Sequence, residues 1–359
     1  MLARFAMAIA ALALMSGAAS AQDDPIPDAV GLRIAEHFAA PATAAFTEAA
    51  AALEQSVAML CETPSPDALA QSRDAFAHTV QSWGTLSTLR FGPLATENRF
   101  ERIFFWPDAR GVILRQVQEL LAGKDITATD PTTLAEKSVA MQGLPALEYL
   151  LWGSGAETLT NDTVPYRCAY AHAVAGNLGA IAHEVEAEWQ SGAAYHTAFT
   201  APGPAVDLYR DKREVANEFV KALSTALQFM ASAELGPAVG KDESAANPRR
   251  APFWRSDLTF TFLAAQARGL DALIASTDFE DELPVNQSTV ISSIRFDLRM
   301  IRERLEEIDM PVETAFYDPD AWEHLRYVTV ALGLANDTVN DMLTGAIGLV
   351  MGFNALDGD

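Results

Sequence analysis

Cysteine and positive charge are both scarce in this chain. It has two Cys in 359 residues, and 25 Lys and Arg against 48 Asp and Glu. The resulting net charge of −23 excludes nucleic-acid binding through a broad basic surface. It leaves attraction of cations, or plain solubility, as the physical uses of so much acid. No His-Glu-x-x-His motif occurs, so a helix carrying two zinc ligands and a general base is not available. A Gly-x-Ser-x-Gly nucleophile elbow is missing, and so is a glycine-rich phosphate loop. β-rich alternating runs are missing too, which removes the sandwich and barrel classes. Beyond residue 21 no apolar run reads as a transmembrane segment.

The first 21 residues read as an export leader. Arg4 supplies a positive start, Phe5 to Met15 an apolar core, and Ala19-Ser20-Ala21 a small-residue cleavage site. Gln22-Asp23-Asp24 follow at once, and no Cys stands at the cleavage point, so a lipid anchor is not expected. The mature protein is expected in a bacterial periplasm. In an oxidising compartment Cys61 and Cys168 are expected to pair. The alternative is two distant, buried thiols. Paired thiols would also rule out a catalytic cysteine.

What is plentiful is helical periodicity. Residues 33–61 are Ala-rich with a polar face, interrupted at Pro41. Ser65-Pro66 is an N-cap and first-turn pair for a helix reaching Leu89, and Asp130-Pro131 repeats that signal. Val164-Pro165 opens another helix running to about Gln190. Further helices are predicted over 206–235, 256–276, 288–308 and 318–344, with an irregular stretch from Gly236 to Arg255. Ser191 to Pro204, rich in Ala, Gly, Thr and Pro, is the expected boundary between halves at 22–200 and 201–359. The expected fold is all-α, with two packed four-helix-bundle-like halves.

One stretch stands apart. Gly143-Leu144-Pro145-Ala146-Leu147-Glu148-Tyr149-Leu150-Leu151-Trp152-Gly153 is apolar on nearly every face, so a helix made from it is buried all round. A single carboxylate, Glu148, sits in its middle, and burying one is costly unless it is paired, hydrogen-bonded or bound to a cation. Pro145 lacks an N–H, which places a break at 143–145 and a fresh helix running to Gly153. A second concentration of chemistry lies between residues 90 and 115. There Arg90, Arg99, Arg102, Arg110 and Arg115 interleave with Phe100, Phe104, Phe105 and Trp106, beside Glu97, Glu101 and Asp108. Guanidinium groups among aromatic rings are held either for an anionic ligand or by internal ion pairs. His183 and Glu186 share a helix face, and that face reads as solvated.

The 143–153 stretch resembles the signature of the imelysin-like family, Gly-x-His-x-x-Glu followed by an aromatic-aliphatic run and often Trp-Gly. Gly143, Glu148 and Tyr149-Leu150-Leu151-Trp152-Gly153 match, and Pro145 stands where the family has histidine. Three more blocks are similar to the family's bacterial branch. The first comprises Leu89-Arg90-Phe91-Gly92-Pro93, Glu97-Asn98-Arg99 and Phe105-Trp106-Pro107-Asp108. The others are Pro248 to Ser256, which contains Arg249, Arg250, Trp254 and Arg255, and the C-terminal Gly352 to Asp359.

The resemblance implies an all-α protein of two bundle-like halves with a pocket between them. Its ligand-binding residues would be Glu148, Tyr149, Arg90, Arg99, Arg102, Asp108, Arg249, Arg250, Trp254 and Arg255. It also implies a role in iron or other divalent-metal acquisition, with Glu148 as metal ligand and an outer-membrane or periplasmic uptake component as partner. Two other readings stand beside that one. The arginines suit an anionic ligand such as an acidic polysaccharide or an organic acid. The family's name points to a metallopeptidase, which the loss of the signature histidine weakens.

Overall fold

The computed structural model describes residues 24–161 and 165–349. The expected leader at 1–21 and the C-terminal block from Gly352 lie outside the described residues. Helices dominate, and no strand occurs among the described residues. None of their helices is long and apolar enough to cross a membrane.

The long helices, in chain order, begin with α1 (residues 30–62), α2 (Pro66–Leu86), α3 (Val112–Gly123), α4 (Gly143–Trp152) and α5 (Pro165–Trp189). They continue with α6 (Lys212–Phe229), α7 (Thr259–Ala275), α8 (Val285–Glu306) and α9 (Pro319–Asp337). Their starts follow local chemistry. The side chains of Ser65, Asp130, Asp211 and Asp318 each accept from the first free amides of the helix that follows. Pro41 does not interrupt α1. A π-helical turn, Ala35–Ala39, sits just before it, where the missing proline N–H breaks the regular ladder in any case.

In the first half α1 packs against α2 and α5, and α4 lies on α5. In the second, α7 packs on α8, α8 on α9, and α9 on α6. The seam between the halves is the contact of α2 with α7. It is close because Gly84 faces α7: a Cβ there would lie 2.7 Å from the Ala265 Cβ and 2.9 Å from the Phe262 carbonyl oxygen. One hydrophobic cluster runs through both halves without a gap. The Ser191–Pro204 stretch is not an open linker. It carries a short helix, Ala194–Thr200, whose Tyr195 and Phe199 pack on Trp189 and Tyr209.

The first turns of α1 reach the second half. Gly31 abuts Val215, and Arg33 pairs with Asp278 and Glu282. The other end of α1 is tied to α5 by a disulfide between Cys61 and Cys168, with 5.5 Å between their Cα atoms.

Candidate functional site

Helix α4 is the anchor of the site. It begins at Gly143, whose φ of +76° suits glycine and whose Cβ, if present, would come within 2.4 Å of the Arg102 and Ile103 carbonyl oxygens. Pro145 follows in the first turn, where its missing N–H costs nothing. The helix is buried from Gly143 to Leu151. Its last carbonyls would be orphaned there, and two arginines supply the donors. Arg167 donates to the carbonyls of Leu150 and Tyr149, and Arg73 to that of Leu151.

Glu148 is 3% exposed and faces the 253–256 turn of the second half. One oxygen, Oε1, accepts from the Ser256 backbone N–H at 3.0 Å and from its hydroxyl at 2.9 Å. The other, Oε2, lies 3.8 Å from Arg255 Nη1. Burial pushes the carboxyl upward from its ordinary range, while the Arg255 charge and the Ser256 donors pull it back. Arg255 lies over the rings of Trp254, at 4.5 Å, and Tyr149, at 5.6 Å. Arg249 covers Trp254 from 5.3 Å and pairs loosely with Glu313.

These groups line a cleft of about 120 Å³, together with Phe104, Trp106, Asp108, Pro145 and Phe253. The volume suits a small group or the head of a larger ligand, since whole drug-sized ligands take pockets of roughly 300–1,000 Å³. The cleft's positive groups, Arg249 and Arg255, sit on an aromatic face. Both Asp108 oxygens are occupied: they accept from the Val112 and Ile113 amides at the start of α3. The Trp106 indole donates to the Ala233 carbonyl, which ties the cleft wall to the second half.

Of the residues expected in a pocket, Glu148, Tyr149, Asp108, Arg249, Trp254 and Arg255 line this cleft. Four others do not. Arg99 is buried among Glu184, Glu188 and Glu97. Arg90 is sandwiched between the Phe100 and Phe229 rings, each 4.0 Å away. Arg102 donates to Asn177, and Arg250 is exposed. Sequence reasoning missed Ser256, although it closes the third block directly after Arg255. It also missed Arg167 and Arg73, whose role depends on where α4 ends in space.

A family model described as Imelysin matches residues 39–332, which is most of the chain. The chain belongs to the imelysin family. An imelysin-like protein from Psychrobacter arcticum 273-4 has the same fold, with a TM-score of 0.75 and 21% identity over 90% of this chain and 96% of that one. A protein from Parabacteroides distasonis ATCC 8503, provisionally named an iron-regulated protein A precursor, gives a TM-score of 0.69. Its identity is 15% over 90% of this chain and 97% of its own. No curated protein matches.

In this imelysin Pro145 and Glu148 both lie on α4 at the cleft. Among the described residues no group of three His, Cys, Asp or Glu side chains is placed to hold a metal ion. Glu148 faces a guanidinium, and Asp108 is spent on a helix start. This donor set does not fit a bare metal ion, because the nearest charge to the carboxylate is itself positive.

Proposed function

We propose that this imelysin is an exported binding protein that captures an anionic ligand group in the cleft between its helical halves, 22–200 and 201–359. Arg255 and Arg249 would meet the ligand's carboxylate or comparable anion, and Trp254 would form the floor. The observation that carries the reading is the pair of guanidinium groups stacked on one indole at the cleft, beside a carboxylate already spent on Ser256. Such a local arrangement attracts an anion at contact distance even on a protein of net charge −23, because the long-range repulsion is screened within about 10 Å at 0.1 M salt.

A link to iron rests on the name given to the Parabacteroides protein. On this reading iron would arrive as an anionic chelate whose oxygens meet the arginines, and a periplasmic or outer-membrane uptake component would be the partner. The disulfide and the leader-like residues 1–21 support a periplasmic location. Peptide hydrolysis is not proposed, since Glu148 accepts two hydrogen bonds from Ser256 and belongs to no metal-ligand set among the described residues.

The test is calorimetric titration of the mature protein with di- and tricarboxylates, uronic acid oligomers, bare Fe²⁺ and Fe³⁺, and ferric carboxylate chelates. Binding of an anionic species, weakened tenfold or more in Arg255→Ala, is expected. Tight binding of bare iron that survives Arg255→Ala and is lost in Glu148→Gln would overturn the reading.

A further inference from the structure

A second buried acid lies at the seam, outside the cleft. Glu234 is fully buried, in the π-helical turn Met230–Leu235 that continues α6. Its Oε1 accepts from Gln266 of α7 at 3.2 Å. Its Oε2 has no hydrogen-bond partner among the described residues, and the same is true of Gln266 Oε1, Arg90 Nη1 and Trp83 Nε1. Four polar atoms are therefore left over in one region, where the end of α2, the turn after α6 and the middle of α7 meet. A π turn holding such groups is the kind of helix irregularity that marks sites able to rearrange. Unpaired buried polar groups give the rearrangement its driving force.

Arg90 is the charged side chain whose field reaches Glu234, and Glu101 in turn acts on Arg90. Gln266 is uncharged. Arg90 makes no ion pair among the described residues and is held only between the Phe100 and Phe229 rings. The residue before Glu234 has a second role, because the Ala233 carbonyl accepts the indole N–H of Trp106 in the cleft wall.

We propose that Glu234 and Arg90 form a proton-operated latch at the seam, and that its state sets the position of Trp106 in the cleft. With its proton on, Glu234 is neutral, and the seam packs as observed. When the proton leaves, a buried carboxylate and a buried guanidinium attract each other. Arg90 then draws out from between Phe100 and Phe229 toward Glu234, and the π turn shifts. Ala233 carries that shift to the Trp106 indole. The latch needs no bound ligand, so it stands whether or not the cleft takes an anion.

The test is NMR of the protein labelled at its indole nitrogens, followed from pH 6 to 9, with the Trp106 signal assigned through Trp106→Phe. Burial pushes the Glu234 carboxyl up to about 8, against the pull of Gln266 and Arg90. The Trp106 signal is therefore expected to move with a midpoint near pH 8, and Trp83 to move with it. In Glu234→Gln, which keeps size and neutrality, neither should titrate. Arg90→Met should leave a titration with a higher midpoint and a smaller Trp106 shift. A Trp106 signal that is flat across this range in the unmodified protein, or that titrates unchanged in Glu234→Gln, would overturn the proposal. The first outcome is read on the unmodified protein and needs a variant only to assign the Trp106 signal.

Discussion

The carboxylate of Glu148 and the residue Ser256 lie 108 positions apart in sequence, yet a single carboxylate oxygen receives both the Ser256 amide and its hydroxyl. The bond joins the signature helix of the first half to the arginine-bearing turn of the second. Glu148 thus acts on the cleft by fixing the turn that presents Trp254 and Arg255.

Removing that acceptor should be costly. Glu148→Ala would strand the buried Ser256 amide, while the Ser256 hydroxyl keeps the Phe253 carbonyl as acceptor, and would leave Arg255 without its counter-charge, with a loss of about 2–4 kcal/mol in urea unfolding. Glu148→Gln keeps an oxygen for Ser256 and should lose less than half as much. Equal losses for the two variants would mean that the charge facing Arg255, not the bond to Ser256, holds the turn.

The disulfide closes a long loop, with its cysteines 107 residues apart. In the chain-entropy model such a cross-link contributes roughly 4–5 kcal/mol. The double variant Cys61→Ala/Cys168→Ala should lose stability of that order, and alkylation of the unreduced, denatured protein should label no thiol. Two labelled thiols would refute the bridge.

Arg99 is buried with three acidic neighbours that are themselves partly exposed, Glu184 and Glu188 among them. Arg99→Met should therefore destabilise by about 2–3 kcal/mol, less than the ~3–5 kcal/mol of a fully buried pair. Anion binding in the cleft should be unchanged, because Arg99 does not line it. A selective loss of binding would return Arg99 to the site.

Stability should also depend on pH through Glu234. Its carboxyl is pushed up to about 8 in the folded state from an ordinary value of 4.5, so the folded protein keeps a proton that the unfolded chain releases. Stability from this group is complete below pH 4.5, falls as pH rises from there, and levels off above 8. Thermal unfolding of Glu234→Gln should show a higher Tm than the parent at pH 8 and a smaller difference at pH 5. A gap that widens toward pH 5 would contradict the assignment.

Much of the fold was legible because its signals are local. Ser65 and Asp130 announce helix starts, and Gly143 with Pro145 marks the break before α4. Glu148 stood out as one acid in an apolar run. Glu234 carries the same signal, a lone acid between Met230-Ala231 and Leu235, but no recognisable motif surrounds it. The arginines could not be sorted by sequence. Arg90, Arg99 and Arg255 look alike in composition, and only packing decides which meets a ring, which a carboxylate and which the cleft. For the same reason Ser256 was invisible: its importance comes from a partner in the other half.

Helix α1 behaves mechanically as a strut. Its first turns are pinned to α6 and to Asp278 and Glu282, and its far end is bolted to α5 by the disulfide. α1 therefore joins the two halves a second time, beside the seam of α2 with α7. The place on it where the winding departs from regular is the π-helical turn Ala35–Ala39, between the turns pinned to the second half and the long stretch packed on α2 and α5.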